Sequence, residues 1–256
     1  MGQNAAPQRR GRRGSARRLI VLVLSVFVVG GIAIAVKEAF GGGGGPAVIP
    51  AATLVPAADR HAPAALVRAA NALDFKAYRF PGLGTIENEP ASAAHPPSNP
   101  KLLPVGAEAP GFTLETPTGE TVSLRGLRGR AVLLEFFATW CPHCAAEAPH
   151  VAKLARSLPA GRYAVVAVNA DSENAASVFA FHRYFGLPFP AVLDPGGTPG
   201  NYNQGGTPGR VSRAYDVNGF PTFYVLDGRG RVAWRSNGEQ PDALLRTQLR
   251  LAGRQG

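Results

Sequence analysis

The sequence predicts an α/β sandwich with a central mixed sheet, folded from the second half of the chain. Two nearly continuous apolar runs, Ala131–Phe137 (AVLLEFF) and Tyr163–Asn169 (YAVVAVN), read as strands covered on both faces. Each is followed by a stretch of helical spacing. A hairpin signal at Asp227-Gly228-Arg229-Gly230 then closes the pattern. Strands alternating with helices and ending in a hairpin require parallel and antiparallel pairing in one sheet, with helices covering it.

The elements follow in order. Thr121–Leu124 is a short strand after the Gly119 turn. AVLLEFF comes next, and Pro142 to about Leu158 is helical. YAVVAVN leads to a second helix from Ser172 to Phe185, with Ser172 placed to cap it. Ala191–Leu193 is a short strand. Thr222–Leu226 and Arg231–Trp234 form the hairpin, and Gln240–Ala252 is a closing helix. Between Leu193 and the hairpin, Gly196-Gly197-Thr198-Pro199-Gly200 recurs as Gly205-Gly206-Thr207-Pro208-Gly209 in a loop of insertion character. Loops of this length are either functional or disordered, and both readings stand here: a flank of a substrate groove, or a disordered insertion.

Composition narrows the class. The chain has 256 residues, 45% of them hydrophobic, enough for one core, although 31 Gly and 23 Pro leave part of it unpacked. Its formal charge of +10 suggests nucleic acid, but Arg9, Arg10, Arg12, Arg13, Arg17 and Arg18 supply six of those charges. Beyond residue 18, 21 basic residues face 17 acidic ones, so the excess belongs to a tail and no nucleic-acid partner is expected.

Residues 1–18 are accordingly a basic cytoplasmic tail. Residues 19–36 are an apolar run reaching about 27 Å as a helix, just enough for a bilayer core. The arginines before it hold the N-terminus in the cytoplasm, so the run is expected to be a single-pass anchor in the inner (cell) membrane with everything beyond it extracytoplasmic or periplasmic. The rival is a signal peptide cleaved at Ala33-Ile34-Ala35; Arg17-Arg18 fits a twin-arginine signal poorly. Residues 37–102 form a Gly/Pro/Ala-rich linker, opening on the Gly41–Gly45 hinge. A mostly disordered tether of that length spans about 45 Å. Within it Leu66, Ala70, Leu73, Ala77 and Phe80 fall at helical spacing, a short helix for the domain, for the membrane surface, or for neither. The folded domain takes residues 103–254.

AVLLEFF runs through Ala138-Thr139-Trp140 into Cys141-Pro142-His143-Cys144. Two cysteines alone cannot staple a scaffold, so their chemistry is local. At a helix N-terminus, unpaired N–H groups and the helix dipole favour an anion, and Pro142 suits the first helical position. Cys141 is therefore expected to be the exposed, acidified thiol, and Cys144, one turn in, its shielded partner. His143 would stabilise the thiolate further and shift the pair toward oxidant. A structural zinc would have to borrow His150 and His182, and a structural disulfide would close a very short loop. The redox-active Cys141-Cys144 disulfide is the stronger reading, with no metal or organic cofactor required.

These residues, with Ala109-Pro110-Gly111-Phe112-Thr113-Leu114, Val122-Ser123-Leu124, Glu147-Ala148-Pro149 and Gly219-Phe220-Pro221-Thr222, resemble the thioredoxin-like fold in its membrane-anchored TlpA/ResA-like branch. The CPHC motif itself is similar to that of the DsbA oxidants. The resemblance implies a thioredoxin-like three-layer sandwich and a thiol–disulfide oxidoreductase acting on cysteine-containing proteins. It implies a reductant serving cytochrome c maturation or metal-site assembly, recharged by a membrane thiol–disulfide electron carrier; the CPHC chemistry pulls instead toward a DsbA-like oxidant or isomerase. Pro221 matches the family's cis-proline facing the dithiol, with the backbone of Phe220 free to pair with a substrate peptide; the alternative is an ordinary trans proline. Glu147 matches an acidic position that would take the proton of Cys144, against an exposed helix glutamate. Glu135 matches a buried acid suited to a proton shuttle, against a carboxylate at the sheet edge or paired with arginine. Trp140 would shield the dithiol and Pro149 would kink the helix. Two other classes remain: a copper-binding chaperone using Cys141, Cys144 and a histidine, and a peroxiredoxin-type peroxidase, for which Thr139 alone is not enough.

Overall fold

The computed structural model describes residues 61–77 and 101–255. The expected tail, anchor and most of the linker lie outside the described residues. Among the described residues no helix is long and apolar enough to cross a membrane.

Helix α1 (Ala64–Ala72) precedes a small antiparallel pair, β1 (Thr113–Glu115) and β2 (Thr121–Ser123). The main run follows: β3 (Ala131–Phe137), α2 (Pro142–Ser157), β4 (Tyr163–Asn169), α3 (Ala175–Phe185) and β5 (Ala191–Leu193). It ends with α4 (Arg210–Ala214), β6 (Thr222–Leu226), β7 (Val232–Asn237) and α5 (Asp242–Ala252). The five-stranded sheet has the order β5-β4-β3-β6-β7, with β3 central. β3 pairs parallel with β4 and antiparallel with β6, which makes the sheet mixed as expected.

Every residue of β3 and β4 is buried, and the two-residue strand period sorts them into two layers. Leu133 and Phe137 pack with Ala148 and Val151 of α2, Phe181 of α3 and Leu245 of α5. Val132, Leu134 and Phe136 pack on the other side with Leu114, Val122, Tyr215 and Tyr224. The same period turns Glu135 toward the layer of α2, which is the layer of the cysteines.

Two local readings are revised. The second helix begins at Ala175, and its cap is Asn174, whose Oδ1 accepts from the Ser177 amide at 3.0 Å. Ser172 instead takes a positive φ of 61°, donates to the Asp194 carbonyl and accepts from the Gly197 amide. A polar side chain with two partners in a loop has no reason to cap a helix. The glycine-rich loop is ordered and contains α4, which periodicity did not reveal. Thr198 and Thr207 exchange backbone hydrogen bonds at 3.0 and 2.9 Å, joining the two GGTPG copies as a narrow ribbon. A Cβ on Gly206 would overlap the Gly200 carbonyl, and one on Gly197 the Thr207 carbonyl. The repeated glycines are thus set by close backbone approach.

The helix expected in the linker exists and lies on α3: Ala70 packs with Phe179 and Ala180, and Phe75 meets the rings of Phe181 and Tyr184 edge-on at 5.7 and 5.5 Å.

Candidate active site

β3 delivers the chain into a turn that is held from the adjacent strand. Because Phe137 is in register with Asn169, residues after β4 lie beside Thr139 and Trp140. Glu173 accepts from the Thr139 amide at 2.7 Å and from its hydroxyl, and Asn169 Nδ2 donates to the same carboxylate at 2.6 Å. Asp171 Oδ2 accepts from Trp140 Nε1 at 2.7 Å. Burial raises both carboxyls above their ordinary range, and these hydrogen bonds oppose the rise. Neither acid was singled out in the sequence, although the parallel pairing of the two apolar strands points to their position.

Cys141 caps α2, and Pro142 takes the first helical position. The Cys144 amide donates to Cys141 Sγ at 3.4 Å, and Cys141 Sγ lies 3.8 Å from the Phe220 carbonyl. Both thiols are free. The Cys141 thiol is acidified, chiefly by the side-chain hydrogen bond with Cys144, while burial opposes it. The backbone amides of Cys144 and His143 and then the His143 charge lower it further. Cys144 is pushed well above the ordinary thiol range, first by burial and then by its bond to Cys141. Two thiols one turn apart therefore have opposite characters, as the spacing predicts.

One part of that expectation is corrected. Cys141 is only 4% exposed. A helix terminus fixes the electrostatics of a sulfur but not its cover, and here the Phe220-Pro221 segment that leads into β6, the strand beside β3, supplies that cover. The Phe220–Pro221 peptide bond is cis, as the resemblance implies. Trp140 is 36% exposed and meets the Phe220 ring edge-on at 5.8 Å, flanking the dithiol without covering all of it.

His143 does not turn wholly to the thiol. Its Nδ1 lies 2.6 Å from Oε1 of Glu239, an acid on the turn between β7 and α5 that sequence reasoning missed. Both glutamates expected near the dithiol are in place. Glu135 is 4% exposed, and burial together with the neighbouring Cys141 raises its pKa to about 8. Glu147 is fully buried, not the exposed helix glutamate of the alternative reading. Its Oε2 accepts from the Gln240 amide at 3.2 Å, while its Oε1 has no donor. Burial and then the charge of Glu135 drive its pKa well above the carboxylate range. Cys144, Glu135 and Glu147 thus each respond to the charge of another group in this cluster.

Of the other histidines, His182 is buried against Phe189, and burial lowers its pKa to about 3. Among the described residues no three His, Cys, Asp or Glu side chains are grouped to hold a metal ion. The acidified thiol, the buried resolving thiol and the cis-proline loop together are suited to thiol–disulfide exchange.

Comparison with known proteins places the chain in a family. The AhpC/TSA family model matches residues 105–235. The thiol-disulfide oxidoreductase ResA of Bacillus subtilis is 31% identical over 146 residues, which is 57% of this chain and 74% of that protein. The thioredoxin-like protein YneN of the same species is 39% identical over 129 residues, 50% of this chain and 68% of its own. A thiol:disulfide interchange protein structure, DsbE from Chlorobium tepidum, is 29% identical, covers 59% of this chain and 99% of its own, and superposes with a TM-score of 0.50. The chain belongs to the AhpC/TSA family and is a thioredoxin-like thiol–disulfide oxidoreductase of the ResA type.

Proposed function

We propose that the protein is an extracytoplasmic, membrane-anchored reductant of protein disulfides, of the kind that serves cytochrome c maturation or metal-site assembly, and that a membrane thiol–disulfide carrier returns it to the dithiol state. The Cys141 thiolate attacks one sulfur of a client disulfide; a mixed disulfide forms and the client's other sulfur leaves as a thiolate. Cys144 then loses its proton and attacks Cys141. The mixed disulfide breaks, the second client thiolate leaves, and Cys141-Cys144 becomes the disulfide. Two electrons have passed to the client. Proton removal from a thiol as weakly acidic as Cys144 is eased by a base of similar affinity, and Glu135 near 8 is far closer to it than an ordinary carboxylate.

The observation that carries the direction is the 2.6 Å contact between His143 and Glu239. An unpaired imidazolium beside the thiolate would favour the reduced form and make an oxidant. A carboxylate on that imidazole offsets its charge, so stabilisation of the Cys141 thiolate is weaker than the CPHC motif alone suggests.

The test is the equilibrium potential of the pair against glutathione. A value near about −270 mV supports the reductant, and one near about −120 mV overturns it. A reporter fused after residue 104 is expected to be active only outside the cytoplasm; cytoplasmic activity would refute the topology.

A further inference from the structure

The repeated GGTPG loop is the part of the domain that exchange chemistry leaves unused, and it ends at the active site. Tyr202, midway between the two copies, sits in a short 3-10 turn, Tyr202–Gln204. Its half-buried ring meets the Phe220 ring edge-on at 5.0 Å. Phe220 in turn meets Trp140 and carries the carbonyl facing Cys141 Sγ. Three partly exposed aromatic rings therefore line the approach to the sulfur, one each from the active-site turn, the cis-proline loop and the insertion.

The loop is anchored for this position. Asp171 Oδ2, which accepts from Trp140 Nε1, also accepts from the Gly200 amide at 3.0 Å, so one buried oxygen ties the insertion to the tryptophan beside the dithiol. The Tyr202 hydroxyl reaches the Ala170 carbonyl at 3.5 Å, and the Gly209 amide donates to that carbonyl at 2.6 Å. A loop only filling surface would have no need to share its hydrogen-bond acceptors with the active-site turn.

We infer that Tyr202 is a specificity-determining residue: it forms the outer wall of the client site and selects segments carrying an aromatic side chain next to the target cysteine. This rests on the reading that the enzyme acts on protein disulfides. An extended client pairing with the Phe220 backbone places side chains alternately, and the neighbour of its cysteine falls among the rings of Trp140, Phe220 and Tyr202. Edge-to-face contacts there favour an aromatic group over a small polar one.

The experiment compares reduction of two disulfide-bonded peptides that differ only in tryptophan or serine beside the cysteine. The wild type is expected to prefer the tryptophan peptide by about 3- to 10-fold in kcat/KM. That ratio falls toward one in Tyr202→Ala and is kept in Tyr202→Phe, which retains the ring and loses the hydroxyl. An unchanged ratio in Tyr202→Ala, or no preference in the wild type, overturns the inference. If Tyr202→Ala also lowers Tm, the mixed disulfide of Cys144→Ser with the tryptophan peptide decides. Proton NOEs between the peptide indole and the Tyr202 ring support the wall, and their absence refutes it. A wild type that reduces small disulfides but neither peptide defeats the protein-client reading instead, which separates the two failures.

Discussion

Two sets of buried carboxylates in this domain are treated in opposite ways. Asp194, at the start of the insertion, is fully buried and accepts from the Val211 amide, the Ser212 amide and the Ser212 hydroxyl at 2.9, 2.7 and 2.7 Å. Glu135 and Glu147, in the layer beneath the dithiol, are as deeply buried, yet Glu147 has one oxygen without a donor and both hold their protons far more tightly than ordinary acids. A buried charge that is fully hydrogen-bonded supports the fold. One left short of donors carries a standing cost and holds its proton well above the ordinary carboxylate range. The first acid pins a short helix, whereas the second pair holds protons beside the dithiol.

The contrast can be broken from either side. The largest effect is expected for Asp194→Ala, which strands three donors and removes the anchor of α4. Stability should fall by roughly 3–5 kcal/mol, read from urea unfolding. A loss under about 1 kcal/mol would mean that this anchor is dispensable.

Glu135→Gln should do the reverse. The folded-state pKa of about 8 lies above the ordinary 4.5, so the native protein holds a proton that the unfolded chain has released. The stability this contributes is complete below about pH 4.5 and is lost as pH rises through 8. Glutamine has no such loss, so the variant should exceed the wild type by about 3 kcal/mol at pH 7 and match it near pH 4. Resolution of a mixed disulfide should slow by about 10- to 100-fold, and its rise with pH near 8 should flatten. Stopped-flow kinetics across pH check both; an unaltered profile would remove Glu135 from the proton path.

A smaller effect concerns the sulfurs. Iodoacetamide at neutral pH should label Cys141 about tenfold faster than Cys144 or more, by mass spectrometry of the reduced domain. Equal labelling would contradict the helix-terminus argument. Smallest is Glu239→Gln, which removes the negative partner of His143 and should raise the potential by roughly 10–30 mV. His143→Pro should lower it, and no change in either would show that the imidazole is silent.

Much of this was legible in the chain. Period-two burial in AVLLEFF turns Glu135 toward α2, and the CPHC spacing at a strand-to-helix junction separates the two thiols. What escaped was non-local. The cover over Cys141 comes from Phe220, 79 residues away, and Glu239 is 96 residues from the histidine it meets. No window along the sequence contains such pairs. The order of the glycine-rich loop escaped for another reason: glycine and proline signal flexibility by composition, yet here they permit two backbone segments to touch.

The cover over Cys141 bears on insulation. A sulfur with so little open surface collides poorly with hydroperoxides and free glutathione, so stray oxidants drain few electrons from it. A client that docks along the cis-proline loop meets the same sulfur held in place. Exchange at such a sulfur is confined to partners whose own segment fits beside the Phe220 carbonyl.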